Sequence, residues 1–262
     1  MRYAVLSDIH SNLEALTAVL DHLASERIDR TLCLGDMVGY GADPAACLER
    51  LHALDAVMVG GNHDLACVGK FDVNWFNQAA KAAILWTRDQ LSVTDLDRLR
   101  RLPLTTVEEP FAPPQGEAHG VGFTLTHASL RHPERFEYLM DAASALDTLA
   151  ACRTRFCLVG HTHLPCVLEY DRAQRRLLRV ATLSAELADF TYADADDRGY
   201  LINPGSVGQP RDGDPRASAA IIDTDAKRVA VRRVAYDVAA AQAKIRNAGL
   251  PAFLAERLAI GR

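Results

Sequence analysis

The chain has 262 residues, 49% hydrophobic and 24% charged, the composition of a soluble globular protein long enough to bury a full core. A net charge of -5 with a pI near 6.0 gives no general attraction to nucleic acid or anionic membrane, so an anionic substrate has to be met by local groups. The opening MRYAVLSDIH is too short in apolar residues for a signal peptide and no segment could span a bilayer, which predicts a cytoplasmic protein without membrane partners.

In chain order, Arg2 to Leu6 reads as a strand, Asn12 to Leu23 as a helix capped by Ser11 or Asn12, and Thr31 to Leu34 as a strand. Pro44 to Leu51 follows as a helix with proline in its first turn, then Ala56 to Val59 as a third strand. This alternation predicts a largely parallel sheet with helices on its faces. Asn74 to Arg101 reads as one helix, and LPLTTVEEP leaves it as a strand. GVGFTLTHA and TRFCLVGHTH are strands flanking a helix around Asp141 to Ala151. Val167 to Tyr170, Leu177 to Thr182, Tyr200 to Ile202, Ala217 to Asp223 and Val229 to Val234 predict a second, more antiparallel sheet. The tail from about 236 is helical, broken at NAGLP, and the expected organisation is one domain over 1–262. The six cysteines lack a Cys-x-x-Cys pair and several lie in apolar runs, so they read as buried, reduced thiols.

The ligand-type residues are the informative part. Asp8 and His10 follow the first strand, Asp36 the second, Asn62 the third, His127 the FTLT strand, and His161 with His163 the FCLV strand. In open α/β sheets ligands bind outside the carboxyl ends of strands, so these seven residues are expected at one edge. Carboxylates, imidazoles and an amide oxygen suit first-row divalent cations, and seven donors overfill one site. Two ions need a bridging carboxylate, for which Asp36 is placed best. Such a pair, about 3.5 to 4 Å apart, clamps the oxygens of a phosphoryl transfer and acidifies a bound water to a hydroxide nucleophile. In VGGNHDL the paired glycines predict a tight bend that crowds Asn62, His63 and Asp64 together.

The ordered blocks DIH, GDMVGYG, GNHD, the lone histidine of LTHAS, and GHTH resemble the calcineurin-like metallophosphoesterase superfamily, closest to its small bacterial phosphodiesterase-like branch, which SDIHSNLEAL and NPGSVGQPRDGDPRAS also suggest. The resemblance runs from Met1 to about Asp237. It implies an α/β fold of four layers, αββα, with two mixed β-sheets flanked by helices. It also implies that Asp8, His10, Asp36 and His163 hold one ion and that Asp36, Asn62, His127 and His161 hold the other. The cofactors implied are two divalent transition metals (Mn, Fe, Zn, Ni or Co, with Mn favoured), and His63 is implied to face the substrate phosphate, oriented by Asp64. His127 is followed by Ala128 where relatives often have glycine.

Arg131 and Arg211 are candidates for a bidentate phosphate contact, against surface pairing with their charged neighbours. NPGSVG lacks a following Gly-Lys-Ser/Thr and reads as a turn beside the site rather than a phosphate loop. Tyr40, Trp75, Phe76 and Trp86 could line a pocket or sit in the core. His22, His52 and His119 have no strand-end placement and read as ordinary histidines, with His132 open. The expected activity is metal-dependent hydrolysis of phosphate esters, nucleotides among them, most simply a phosphodiesterase. The rival readings are a phosphomonoesterase (phosphoprotein phosphatase or dinucleoside polyphosphate hydrolase) and a non-catalytic scaffold of the same fold.

Overall fold

The computed structural model describes residues 1–109, 122–184 and 187–262; His119 lies outside them. Two six-stranded mixed sheets form the centre. In the first, β1 (Arg2–Leu6) pairs in parallel with β2 (Arg30–Cys33), which pairs in parallel with β3 (Val57–Met58). In the second, β4 (Thr105–Glu108) lies antiparallel to β5 (Phe123–Thr126), and β5 parallel to β6 (Phe156–Leu158). That sheet continues through β10 (Arg198–Asn203) to β7 (Cys166–Asp171) and β8 (Arg176–Thr182).

The period of two along each strand builds the layers. Tyr3 and Val5 of β1 join Leu32, Phe123, Phe156 and Tyr200 in the core between the sheets. Ala4 and Leu6 point the other way, onto α1 (Leu13–Ala24) and α2 (Pro44–Ala53) through Leu16, Val19, Leu48 and Leu51. On the far side, Cys157 and Leu201 pack under α6 (Ala142–Ala151) through Ala145 and Leu149. The order is therefore αββα. All six cysteines are free thiols, five of them buried, and among the described residues no helix is long and apolar enough to cross a membrane.

Two expectations need correction. The strands β11 (Ala217–Asp223) and β12 (Arg228–Val234) do not join the second sheet: β11 runs antiparallel to β1, with Tyr3 opposite Ile222, and β12 carries β9 (Asp189–Thr191) at the edge. The parallel unit leaves one edge of β1 unpaired, and β11 satisfies it. Periodicity identifies a strand but not the edge it fills. The helix read over Asn74 to Arg101 is two helices, α4 (Gln78–Gln90) and α5 (Val93–Arg101), preceded by α3 (Asn62–Cys67) and a 3-10 turn, Val73–Trp75. The break is a capping box: the Ser92 hydroxyl accepts from the Asp95 amide at 3.1 Å while the Asp95 carboxylate accepts from the Ser92 amide at 3.3 Å.

Candidate metal centre

The chain leaves each strand in a conformation that turns its polar residues onto one edge. Asp8, His10, Asp36, His161 and His163 all have φ between 49° and 65°, the left-handed region that non-glycine residues seldom occupy. Such strain persists only where surrounding bonds over-determine it, and here they do. The Asp8 carbonyl accepts from the Ser206 hydroxyl at 2.7 Å and the Gly208 amide at 3.0 Å, while the His10 and Ser11 amides donate to the Asp36 and Met37 carbonyls. The NPGSVG turn thus braces the first ligand-type residue. Gly208 is required there by close approach, since a Cβ would lie 1.8 Å from the Ile9 carbonyl oxygen. Gly208→Ala is expected to destabilise the fold by about 3 kcal/mol in urea denaturation, because backbone rather than a flexible side chain would have to move.

The glycines of VGGNHDL also serve proximity rather than positive φ: Gly61 has φ -94°, and a Cβ on it would lie 2.1 Å from Asp36 Oδ1. The positive φ falls in the facing loop, at Gly35 (+92°) and Gly39 (+90°).

All seven predicted ligand residues are buried and converge. Donor atoms of six of them, with His63, form the sets Asp8–His10–His163, Asp36–His127–His161 and His10–Asp36–His63, each within 4.8 Å. Asp36 Oδ2 lies 3.7 Å from His10 Nε2 and 3.3 Å from His127 Nε2, so it stands between the first two sets. Asp8 Oδ1 is 3.2 Å from His163 Nε2, and Asn62 Oδ1 is 3.1 Å from His127 Nε2.

The second nitrogens decide what the first ones can do. His127 Nδ1 donates to the Leu34 carbonyl (2.8 Å), His10 Nδ1 to Val38 (3.2 Å) and His163 Nδ1 to Gln209 (2.5 Å). In its neutral form each ring then presents an Nε2 lone pair to the cluster. His10 Nε2 and His163 Nε2 face each other at 3.3 Å, and His127 Nε2 faces His161 Nδ1 at 3.1 Å. Facing lone pairs repel unless a cation or proton sits between them, and Asp8 Oδ1 is buried without a hydrogen bond. Burial alone would lower His127, yet the Asp36 and Asp8 carboxylates outweigh it and raise the imidazole to about 9. Burial pulls Asp36 the other way, but His127 and His63 hold it well below the usual carboxylate range. These donors suit divalent cations, because positive charge is demanded between them and the second nitrogens of His10, His127 and His163 are already committed.

A cleft of about 240 Å³ opens over the cluster, with Asp36, Asn62, His63, His161 and His163 at its floor and Arg211 among its lining. Its walls are aromatic, from Phe71, Trp75 and Phe76 on one segment and Phe136 and Tyr138 on another. The Tyr138 ring stacks on His161 with centroids 3.9 Å apart. His63, the second residue of α3, is boxed by His10, Tyr40 and Phe76 at 4.4 to 4.8 Å. Burial pushes its imidazole down to about 4, and its Nδ1 has no partner.

The residues around this core sort differently from expectation. Asp64 does not orient His63: its carboxylate accepts from the Met37, Val38 and Gly61 amides at 2.9 to 3.2 Å, so it ties the Asp36 loop to the start of α3. Arg131 is not in the cleft; it is 60% exposed and paired with Asp147 at 2.6 Å. Arg135, four residues on, lines the cleft instead. Arg211 is in the cleft, with its Nε buried and unpartnered. Trp86 packs with the C-terminal helices instead. His132 lies 3.8 Å from Glu134, outside the cleft lining. Sequence reading missed Ser206, Gln209, Arg135 and Tyr138, whose only signal was proximity to the motifs.

The model of the calcineurin-like phosphoesterase superfamily domain matches residues 1–227. The chain belongs to that superfamily. It is 39% identical to the uncharacterized protein MJ0912 of Methanocaldococcus jannaschii over 99% of this chain and 98% of that one. The crystal structure of a metallophosphoesterase from Sphaerobacter thermophilus shares 40% identity over 100% of this chain and 99% of that chain, with a TM-score of 0.82. A hypothetical protein of Pyrococcus horikoshii, PH1004, shares the fold at 20% identity and a TM-score of 0.76, covering 100% of this chain and 98% of its own. As a member of this superfamily the chain is a phosphoester hydrolase by family and metal-dependent in type.

Proposed function

We propose that this phosphoesterase is a phosphodiesterase that uses two metal ions: Asp8, His10, Asp36 and His163 would hold one, and Asp36, Asn62, His127 and His161 the other, with Asp36 shared. The observation that carries the reading is the pair of facing imidazole nitrogens on either side of Asp36, beneath an open cleft. When bound, two divalent transition metals, manganese favoured, supply Lewis-acid activation of water and neutralise the phosphoryl charge. The chain does the rest. The Leu34, Val38 and Gln209 carbonyls fix the three imidazoles in one tautomer. Arg211 offers a guanidinium to the phosphate from the cleft wall.

In this reading His63 serves the departing oxygen. Burial disfavours its protonated form, and an anionic ester beside it would favour uptake of a proton, which the ring would then give to the leaving group. Aromatic walls on both sides of the floor suit a phosphorus carrying two organic groups, which supports a diester over a monoester. The test is turnover of bis-p-nitrophenyl phosphate by the protein reconstituted with manganese. Saturable hydrolysis far above manganese alone is expected; hydrolysis at the level of free metal would leave the scaffold reading.

A further inference from the structure

One residue in the loop 204–216 touches both the imidazole cluster and the cleft wall. Gln209 is 1% exposed, and its main chain is held on both sides. Its amide donates to the Ser206 hydroxyl oxygen at 2.8 Å, the same hydroxyl that donates to the Asp8 carbonyl, and its carbonyl accepts from His163 Nδ1 at 2.5 Å. The backbone is therefore tied to two ligand-type residues before the side chain is considered. That side chain reaches the cleft arginine: Gln209 Oε1 accepts from Arg211 Nη2 at 3.1 Å, while Gln209 Nε2 is buried without a partner. Pro210 joins the two residues, and its ring fixes φ, so the contact spans a stiff link.

Arg211 is held without being neutralised. The acids beside it in the loop are engaged elsewhere, Asp212 with Arg233 and Asp214 with Arg216 at 2.6 Å. Among the described residues the Arg211 side chain bonds only the Gln209 amide oxygen, and its Nε is buried and unpartnered. It nonetheless lines the cleft with Asp36, His63, His161 and His163. A neutral acceptor fixes a guanidinium and leaves its charge free, whereas a carboxylate in the same place would fix it and cancel the charge.

We propose that Gln209 is a positioning residue for phosphate binding: its main chain sets the His163 ring, and its uncharged side chain sets Arg211 in fixed relation to that ring with the cation left for the substrate phosphate. The proposal rests on the reading of Arg211 as the phosphate contact.

The experiment measures binding of inorganic phosphate to the full-length, manganese-loaded protein by calorimetry, with manganese counted in every sample by elemental analysis. The proteins compared are wild type, Gln209→Met, Gln209→Glu, Arg211→Ala and the double variant Gln209→Met with Arg211→Ala. Gln209→Met keeps the stem and the main-chain bonds and removes the acceptor, so phosphate is expected to bind about three- to tenfold more weakly at unchanged manganese content. Gln209→Glu sets a carboxylate against the guanidinium and is expected to weaken phosphate about tenfold or more; it is read if the methionine variant does not fold. Because Gln209 acts through Arg211, the double variant is expected to bind no more weakly than Arg211→Ala alone. Wild-type affinity in a folded Gln209 variant, or losses that add in the double variant, would overturn the proposal. Wild-type affinity in Arg211→Ala would instead remove the phosphate contact on which it rests. Phosphate binding is read without turnover, so it stands apart from the hydrolysis test of the phosphodiesterase reading.

Discussion

Asp36→Asn is expected to lower kcat/KM on any phosphodiester at least about a thousandfold and to leave the protein with fewer than two ions. Asp36 Oδ1 accepts from the His63 amide at 2.9 Å, so only Oδ2 faces the two imidazole sets. An asparagine must either turn its NH₂ toward the His63 N–H, donor against donor, or toward the cluster, where it cannot ligate a cation. In both orientations the charge that would let two dications lie about 4 Å apart is gone. Metal analysis and steady-state kinetics on the same sample check this. Two ions retained with wild-type turnover would remove Asp36 from the bridging position.

His63→Ala is the second large effect, and it should separate from the first by leaving metal content intact. If His63 protonates the departing oxygen, its loss matters most when that oxygen is basic. An alkyl or nucleoside diester should slow by about 10²- to 10⁴-fold, and the p-nitrophenyl ester by noticeably less. The alanine also leaves a void beside Tyr40 and Phe76, so folding is checked by thermal melting. Equal losses on both esters would instead assign His63 to the phosphoryl oxygens. Loss of metal would make it a ligand, which its membership in the His10–Asp36–His63 set allows geometrically.

The seven ligand-type residues were legible because each follows a strand, and strands that end at one edge deliver their next residues to one place. What makes the cluster possible was not legible. NPGSVG reads as a turn beside the site, but nothing local tells that its Ser206 and Gly208 brace the left-handed Asp8 backbone and that Gln209 holds the His163 ring, some two hundred residues from Asp8. Asp64 was placed beside His63 by adjacency, but on a helix neighbours point in different directions, and its carboxylate closes the start of α3. Arg131 and Arg135 lie in the same charged stretch, RHPER, and both stay exposed; only the tertiary structure puts the second at the border of the cleft while Asp147 takes the first. Ser92 and Asp95 carried a readable capping signal that a strongly periodic segment overrode.

The proposed chemistry needs two cations that share Asp36, and counting them is the most direct test. The full-length protein, stripped with a chelator and titrated with manganese by calorimetry, with elemental analysis of the product, is expected to take up two ions per chain and to regain hydrolysis with the second. Saturation at one ion, or full hydrolysis in the stripped protein, would contradict it.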